Sequence, residues 1–403
     1  MGPTTHEVWR TMCRQLARQT ALLIVAAAVL LTPAVAAPAA EAAAGTDTSQ
    51  RLVAAINSAD GAALTELIDV GALGERVIRN LDLNAIDRTR YLASLRLQHA
   101  TLGHSVAIQM AQQKAKAVLV RPPAPLPRNG FLIRIATRDV NDNLGQGYLQ
   151  VELGDDGRIV DWYDHSLAMS MSGQLAFSAV GMLTTEQVAQ LFFGKAEDAV
   201  EIATLMQRFA LAISAGDMRG AHALLLQMPE PIQARREFAT LRVTMARNVG
   251  MKAYREALAE LARRHGDADD LQLILIDHYL LEGEYEAALR AVERTARIVG
   301  DDEVMDANRC SALLELGRKT DALAACDRSI ARDPKFETPR WTRVRLALKT
   351  EDAPLAIESL TGVEQAQGSR LDAGRLAKNK SYVWLVKQPE FAEWGAERGW
   401  VAP

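Results

Sequence analysis

The chain has 403 residues, 49% of them hydrophobic and 24% charged, a balance that excludes an intrinsically disordered protein. Its formal net charge is −4, with Lys and Arg spread along the chain, so it has no long-range field for collecting nucleic acid. Aromatic residues are only 5%, which suits helices packed closely through small side chains.

The first segment reads as an export signal. Arg10, Arg14 and Arg18 form a positive leader, and Ala21 to Leu31 is an uncharged apolar run of 11 residues. Pro33 follows, then the small triplet Ala34-Val35-Ala36. This order predicts a secretory signal peptide over residues 1–36, cleaved about Ala36. The run is too short and too broken for a membrane span. No Cys follows it and no Arg-Arg pair precedes it, which favours the general export route without a lipid anchor. Residues 37–50 read as a flexible leader. The expectation is therefore a periplasmic or secreted protein with no membrane span after cleavage.

From 51 to 183 the pattern is α+β. Arg51–Ser58, Ala62–Ile68 and Gly71–Leu81 are short amphipathic helices, followed by a longer one from Asn84 to about Ala100, capped by Asp82 or Asn84. The period then changes. Ala117–Val120 is a strand closed by Arg121-Pro122-Pro123, and Phe131–Ala136 alternates. Gly147–Leu153 and Ile159–Tyr163 form a hairpin about Asp155-Asp156-Gly157. Helices followed by antiparallel strands make an α+β domain. The early helices and the segment GYLQVELGDDGRIVDWYDH resemble the cystatin-like, nuclear-transport-factor-2-like fold. That resemblance implies a curved sheet wrapped around helices, with a pocket for a small ligand or a face for a homodimer.

From 185 to 370 the chain reads as all helical, and it repeats. Gly283 and Ala288 recur 34 residues on as Gly317 and Ala322, and again as Glu351 and Ala356. Gly300, Pro334 and Gly368 close the units at the same interval. A residue with positive φ is needed in the turn of a helix pair, and a small one where the helices face each other. Ser214-Ala215-Gly216-Asp217 with Ala221, and Gly250 with Tyr254 and Ala257, mark two earlier, irregular units. The period and pattern resemble the tetratricopeptide repeat. That resemblance implies a solenoid whose first helices line a concave face, with Leu273, Asp277, Ala307, Ser311, Trp341 and Arg345 in the groove. Residues 371–403, with Trp384, Phe391, Trp394 and Trp400, read as a cap on the last repeat.

Few groups point to chemistry. His99, His104, His165, His222, His265 and His278 are scattered, and there is no Cys-x-x-Cys, so neither a metal nor a cofactor is expected. No nucleophile motif or phosphate-binding Gly-rich loop appears. The one polar concentration is Asp161-Trp162-Tyr163-Asp164-His165-Ser166. Asp161, Tyr163 and His165 share a strand face, so Asp161 and His165 are candidate acid–base partners, or else solvated strand-end residues. Cys310 and Cys326, sixteen apart on the two helices of one unit, are either small buried hydrophobes or a disulfide.

The expected function is an exported scaffold that binds another polypeptide through a helical-repeat groove, and not an enzyme. Two alternatives stay open. One is a hydrolase- or isomerase-type enzyme, or a small-molecule binder, using the N-terminal pocket. The other is a structural role in envelope assembly.

Overall fold

The computed structural model describes residues 48–81, 85–124, 130–138, 144–180, 185–186, 188 and 199–401. The expected signal peptide and most of the leader lie outside the described residues, as do Asp82 and Asn84. The described chain forms two compact units, one ending at Ile274 and one beginning at Leu275. The fold is mainly α, with one antiparallel sheet in the N-terminal unit and helices throughout the C-terminal one.

The N-terminal unit opens with α1 (Thr48–Ser58), α2 (Gly61–Leu67), α3 (Val70–Leu81) and α4 (Ala85–Gln112). Thr48 to Gln50, expected in the leader, belong to α1, and Ser49 is buried. Asp60 starts α2 by accepting hydrogen bonds from the Ala62 and Ala63 amides, each 3.0 Å. The helices bury a stripe of Leu52, Ile56, Leu64, Leu73, Val77 and Leu102.

The sheet is a meander of β1 (Lys116–Ala124), β2 (Gly130–Arg138), β3 (Leu144–Leu153), β4 (Ile159–Asp164) and β5 (Met169–Ser170), each strand beside the next. Its register places Leu119, Ile133 and Leu149 in one row, and Phe131, Val151 and Trp162 in another. Both rows share a core with the helices. The hairpin turns at Gly157 (φ 76), where the Gly154 amide donates to the Arg158 carbonyl at 2.8 Å. Strand β1 runs on through Pro122 and Pro123, where the sequence pattern predicts its end. It is an edge strand with register shifts after Leu119 and after Arg121, the setting in which proline is tolerated. Asn57 covers this edge: its side chain donates to the Ala117 carbonyl at 3.0 Å and accepts from the Ala117 amide at 2.8 Å.

Helices α5 (Met171–Ala179), α6 (Ala199–Ser214), α7 (Met218–Leu225), α8 (Glu230–Gln233), α9 (Arg236–Val249) and α10 (Met251–His265) complete this unit. A boundary near 184 does not divide the core. Met206, Phe209, Leu225, Phe238 and Met245 join the cluster that holds the sheet. Phe177 stacks edge-on against Phe209 and Phe238, tying α5, α6 and α9 together. The helices expected to begin the repeats therefore belong, as a compact body, with the α+β region.

Helix α11 (Gln272–Glu282) contains the change of unit. The C-terminal unit then runs through α12 (Tyr285–Val299), α13 (Glu303–Glu315), α14 (Lys319–Arg332), α15 (Glu337–Thr350) and α16 (Ala353–Gln367). Second helices start at 285, 319 and 353 and first helices at 303 and 337, both at the 34-residue interval. The turn residues Gly283, Gly317 and Glu351 have φ of 78, 73 and 53, so the backbone repeats even where glycine does not. Ala288, Ala322 and Ala356 are wholly buried. Helix α13 packs on α14, and α15 on α16.

The chain ends in α17 (Ala373–Ala377) and α18 (Pro389–Ala396). Tyr382, Leu385, Phe391 and Trp394 cover Val344, Ala347, Ala356 and Leu360 of the last helix pair. Arg398 locks this cover down. Its guanidinium grips the buried Glu364 at 2.6 and 2.7 Å and lies 4.0 Å over the Trp394 ring.

Candidate functional site

Strand β4 carries the polar run that the sequence singles out. Asp161 pairs with Glu152 and Tyr163 with Gln150, while His165 lies in the turn just after the strand, its ring beside that of Tyr163. Asp161 and Tyr163 are engaged by different elements. Asp161 is buried. It accepts from the Ser172 amide at 3.1 Å and the Ser172 hydroxyl at 2.6 Å, and so caps the start of α5. Arg76 of α3 lies 4.0 Å from Asp161 and bonds Glu152 at 2.7 and 3.0 Å.

Tyr163 donates its hydroxyl to Asp270 at 2.7 Å, and Arg236 of α9 closes an ion pair with the same carboxylate. Burial and the Asp270 hydrogen bond push the Tyr163 phenol pKa up, so it stays protonated. His165 meets Tyr163 edge-on, with ring centroids 5.0 Å apart. The His165 ring is buried, which lowers its pKa to about 4, and its Nε2 has no partner among the described residues. Asp164 points the other way. Burial raises its pKa to about 6, against the opposing hydrogen bonds from the Ser166 amide and hydroxyl.

This arrangement does not join Asp161 to His165. Asp161 and His165 share no hydrogen bond or ion pair among the described residues, and Asp161 is held by Ser172. Asp161 serves as a helix cap, and the His165 imidazole is neutral at pH 7. Asp161 is engaged by Ser172 and Arg76, and Tyr163 by Asp270 and Arg236. Asp270 lies 107 residues from Tyr163, and no local pattern signals that pairing.

The groove residues separate into accessible and inaccessible ones. Leu273 and Asp277 on α11 are half-buried. Ala307 and Ser311 on α13 are buried, and the Ser311 hydroxyl lies 3.4 Å from that of Thr342 on α15, so neither side chain lines an open surface. The physical reason is that α13 and α15 touch directly, and small residues are what lets them approach. Trp341 is half-buried against the core under the C-terminal cap. Arg345 pairs with the buried Glu315, which Lys349 also reaches at 2.6 Å. Arg345 thus holds α15 to α13 rather than offering a free guanidinium. The Cys310 and Cys326 sulfurs are 2.00 Å apart in a disulfide, with Cα atoms at 5.2 Å, joining α13 to α14.

Among the described residues no group of His, Cys, Asp and Glu is placed to hold a metal ion, and no helix is long and apolar enough to cross a membrane. No family model matches this chain, and no curated protein matches it.

Proposed function

We propose that this chain is an exported scaffold that binds another polypeptide through a tetratricopeptide-like array, with a nuclear-transport-factor-2-like domain in front of it. The observation that carries this reading is the 34-residue recurrence of left-handed turns at Gly283, Gly317 and Glu351 with buried Ala288, Ala322 and Ala356. Helix pairs stacked at a constant interval make an extended surface without long-range contacts, and such surfaces suit extended polypeptides. Export is supported by the positive leader and apolar run of residues 10–36, and by a disulfide that an oxidising compartment preserves. The helices that precede a five-stranded meander support the reading of the N-terminal domain.

Two measurements test this. N-terminal sequencing of protein recovered from outside the cytoplasm is expected to begin at Ala37; intact Met1 on a cytoplasmic protein contradicts export. A photo-cross-linking amino acid replacing Trp341, on a first helix, is expected to trap polypeptides of discrete mass. The same group replacing the exposed Gln365, on a second helix, is expected to trap none. Equal trapping at both positions, or none at 341, contradicts the scaffold reading.

A further inference from the structure

The repeat is electrostatic as well as steric. In two successive units the second helix carries an acid eight residues after its start, and the next first helix carries an arginine sixteen residues further on. Glu293 of α12 receives Arg309 of α13 at 2.7 and 3.0 Å. Asp327 of α14 receives Arg343 of α15 at 3.0 Å. Both pairs span sixteen residues.

The irregular unit nearer the N-terminus keeps the arginine and lacks the acid. Helix α7 begins at Met218, so the matching position is Leu226, which is 45% exposed. Sixteen residues on, since 242 − 226 = 16, stands Arg242 of α9. Leu275 occupies the arginine position of the intervening unit. Arg242 is half-buried and has no ion pair or hydrogen bond among the described residues, whereas Arg343, whose Nε is likewise buried without a partner, has Asp327 on its terminal nitrogen. One helical turn before Leu226, His222 is 8% exposed and its Nε2 likewise lacks a partner. Helices α7 and α9 pack together, and burial and the field of Arg242 both lower the His222 pKa. The other charged group acting on His222 is Glu256 of α10, an exposed side chain 4.0 Å from Lys252. It raises the His222 pKa and forms no ion pair with Arg242.

We propose that Arg242, beside the buried His222, is a docking point for a carboxylate supplied by a bound polypeptide, taking the place that Glu293 and Asp327 fill within the chain. This rests on the scaffold reading. A half-buried guanidinium without a counter-charge is costlier than a paired one. In the two units that keep an arginine opposite this place, Glu293 and Asp327 fill it with a carboxylate, and the fork of Arg242 matches one. Such a carboxylate comes from an acidic side chain or from a chain terminus.

The test uses the mature protein with its histidine ring carbons labelled, and the His222 signal identified by His222→Gln. N-acetyl-glutamate amide presents a side-chain carboxylate, N-acetyl-glycine a terminal one, and N-acetyl-glutamine amide neither. A carboxylate on Arg242 cancels the cation that holds the His222 pKa down. Titration in the presence of one or both carboxylate probes is therefore expected to move the His222 midpoint upward relative to equal chloride. The glutamine probe is expected to leave it unmoved. The response is expected to vanish in Arg242→Gln and in Leu226→Glu, which restores the repeat's own acid. If Arg242→Gln fails to fold, Leu226→Glu decides. No response in the unmodified chain, or an equal response to the glutamine probe or in Leu226→Glu, overturns the proposal. Those outcomes leave cross-linking at position 341 untouched, so the two readings fail separately.

Discussion

In the N-terminal unit, Asp161 and Tyr163 of β4 are each held by a partner from elsewhere in the chain. Asp161 goes to α5, and Tyr163 to an aspartate 107 residues away. In the C-terminal unit the pairs recur at one spacing, Glu293 with Arg309 and Asp327 with Arg343. A dense run of polar residues is a poor guide to chemistry until its partners are known. A sparse pattern of small residues at constant interval is a good guide to architecture, because each instance answers the same local packing need.

The sharpest way to break this comparison is to remove a charge from the terminal cap. Arg398 and Glu364 are both nearly buried, so Arg398→Ala leaves a carboxylate unpaired and is expected to cost about 3 kcal/mol by urea unfolding. A loss near zero would mean that the cap is not anchored there. Reducing the Cys310–Cys326 bridge is expected to cost a similar amount, roughly 3 kcal/mol for a loop of this length. Thiol titration of the unfolded, unreduced protein is expected to find neither cysteine free; two free thiols exclude the bridge. Ala322→Leu overfills the helix–helix contact and is expected to cost about 2 kcal/mol. Ala324→Leu, exposed on the same helix, is expected to stay within roughly 0.5 kcal/mol.

A smaller effect has the opposite sign. Glu351 holds a left-handed turn that its own repeat assigns to glycine, so Glu351→Gly is expected to stabilise by about 1 kcal/mol. Gly317→Ala is expected to destabilise by about as much. The neighbourhood of Gly317 leaves room for a methyl group, so backbone conformation alone sets that cost.

The smallest effect belongs to β4, where two opposed titrations nearly cancel. The Asp164 pKa, about 6, lies above its unfolded value, so its contribution to stability is full below that unfolded value and is lost as pH rises through about 6. The His165 pKa, about 4, lies below its unfolded value. Its contribution is full above about 6.5 and is lost as pH falls through about 4. Unfolding midpoints of the unmodified chain are therefore expected to change little between these limits on account of this pair. His165→Phe is expected to gain stability as pH falls, and Asp164→Asn to lose it. Equal profiles for the two variants would contradict the assignment.

How much was legible follows from the range of each interaction. The Asp155-Asp156-Gly157 hairpin and the series Ala288, Ala322 and Ala356 were readable because their causes are local. The continuation of β1 through Pro122 and Pro123 was not, since it depends on being at an edge. Nor was the burial of Ala307 and Ser311, because a first-helix position says nothing of how closely α13 and α15 approach. Helix α5 was missed although Ser170, the residue before it, accepts from the Gly173 amide at 3.1 Å; the second acceptor at its start, Asp161, comes from a strand and has no local signature. The joining of α6 to α9 with the sheet rests on Phe177, Phe209 and Phe238, three aromatics with no shared period.

Hydrogen exchange across residues 272–367, read by mass spectrometry, tests the repeating helix pairs most directly. Slow exchange is expected within α12 to α16, with fast exchange confined to the turns near 283, 300, 317, 334 and 351. Protection running unbroken through those turns, or lost at positions without the 34-residue interval, would contradict the array and the binding surface built on it.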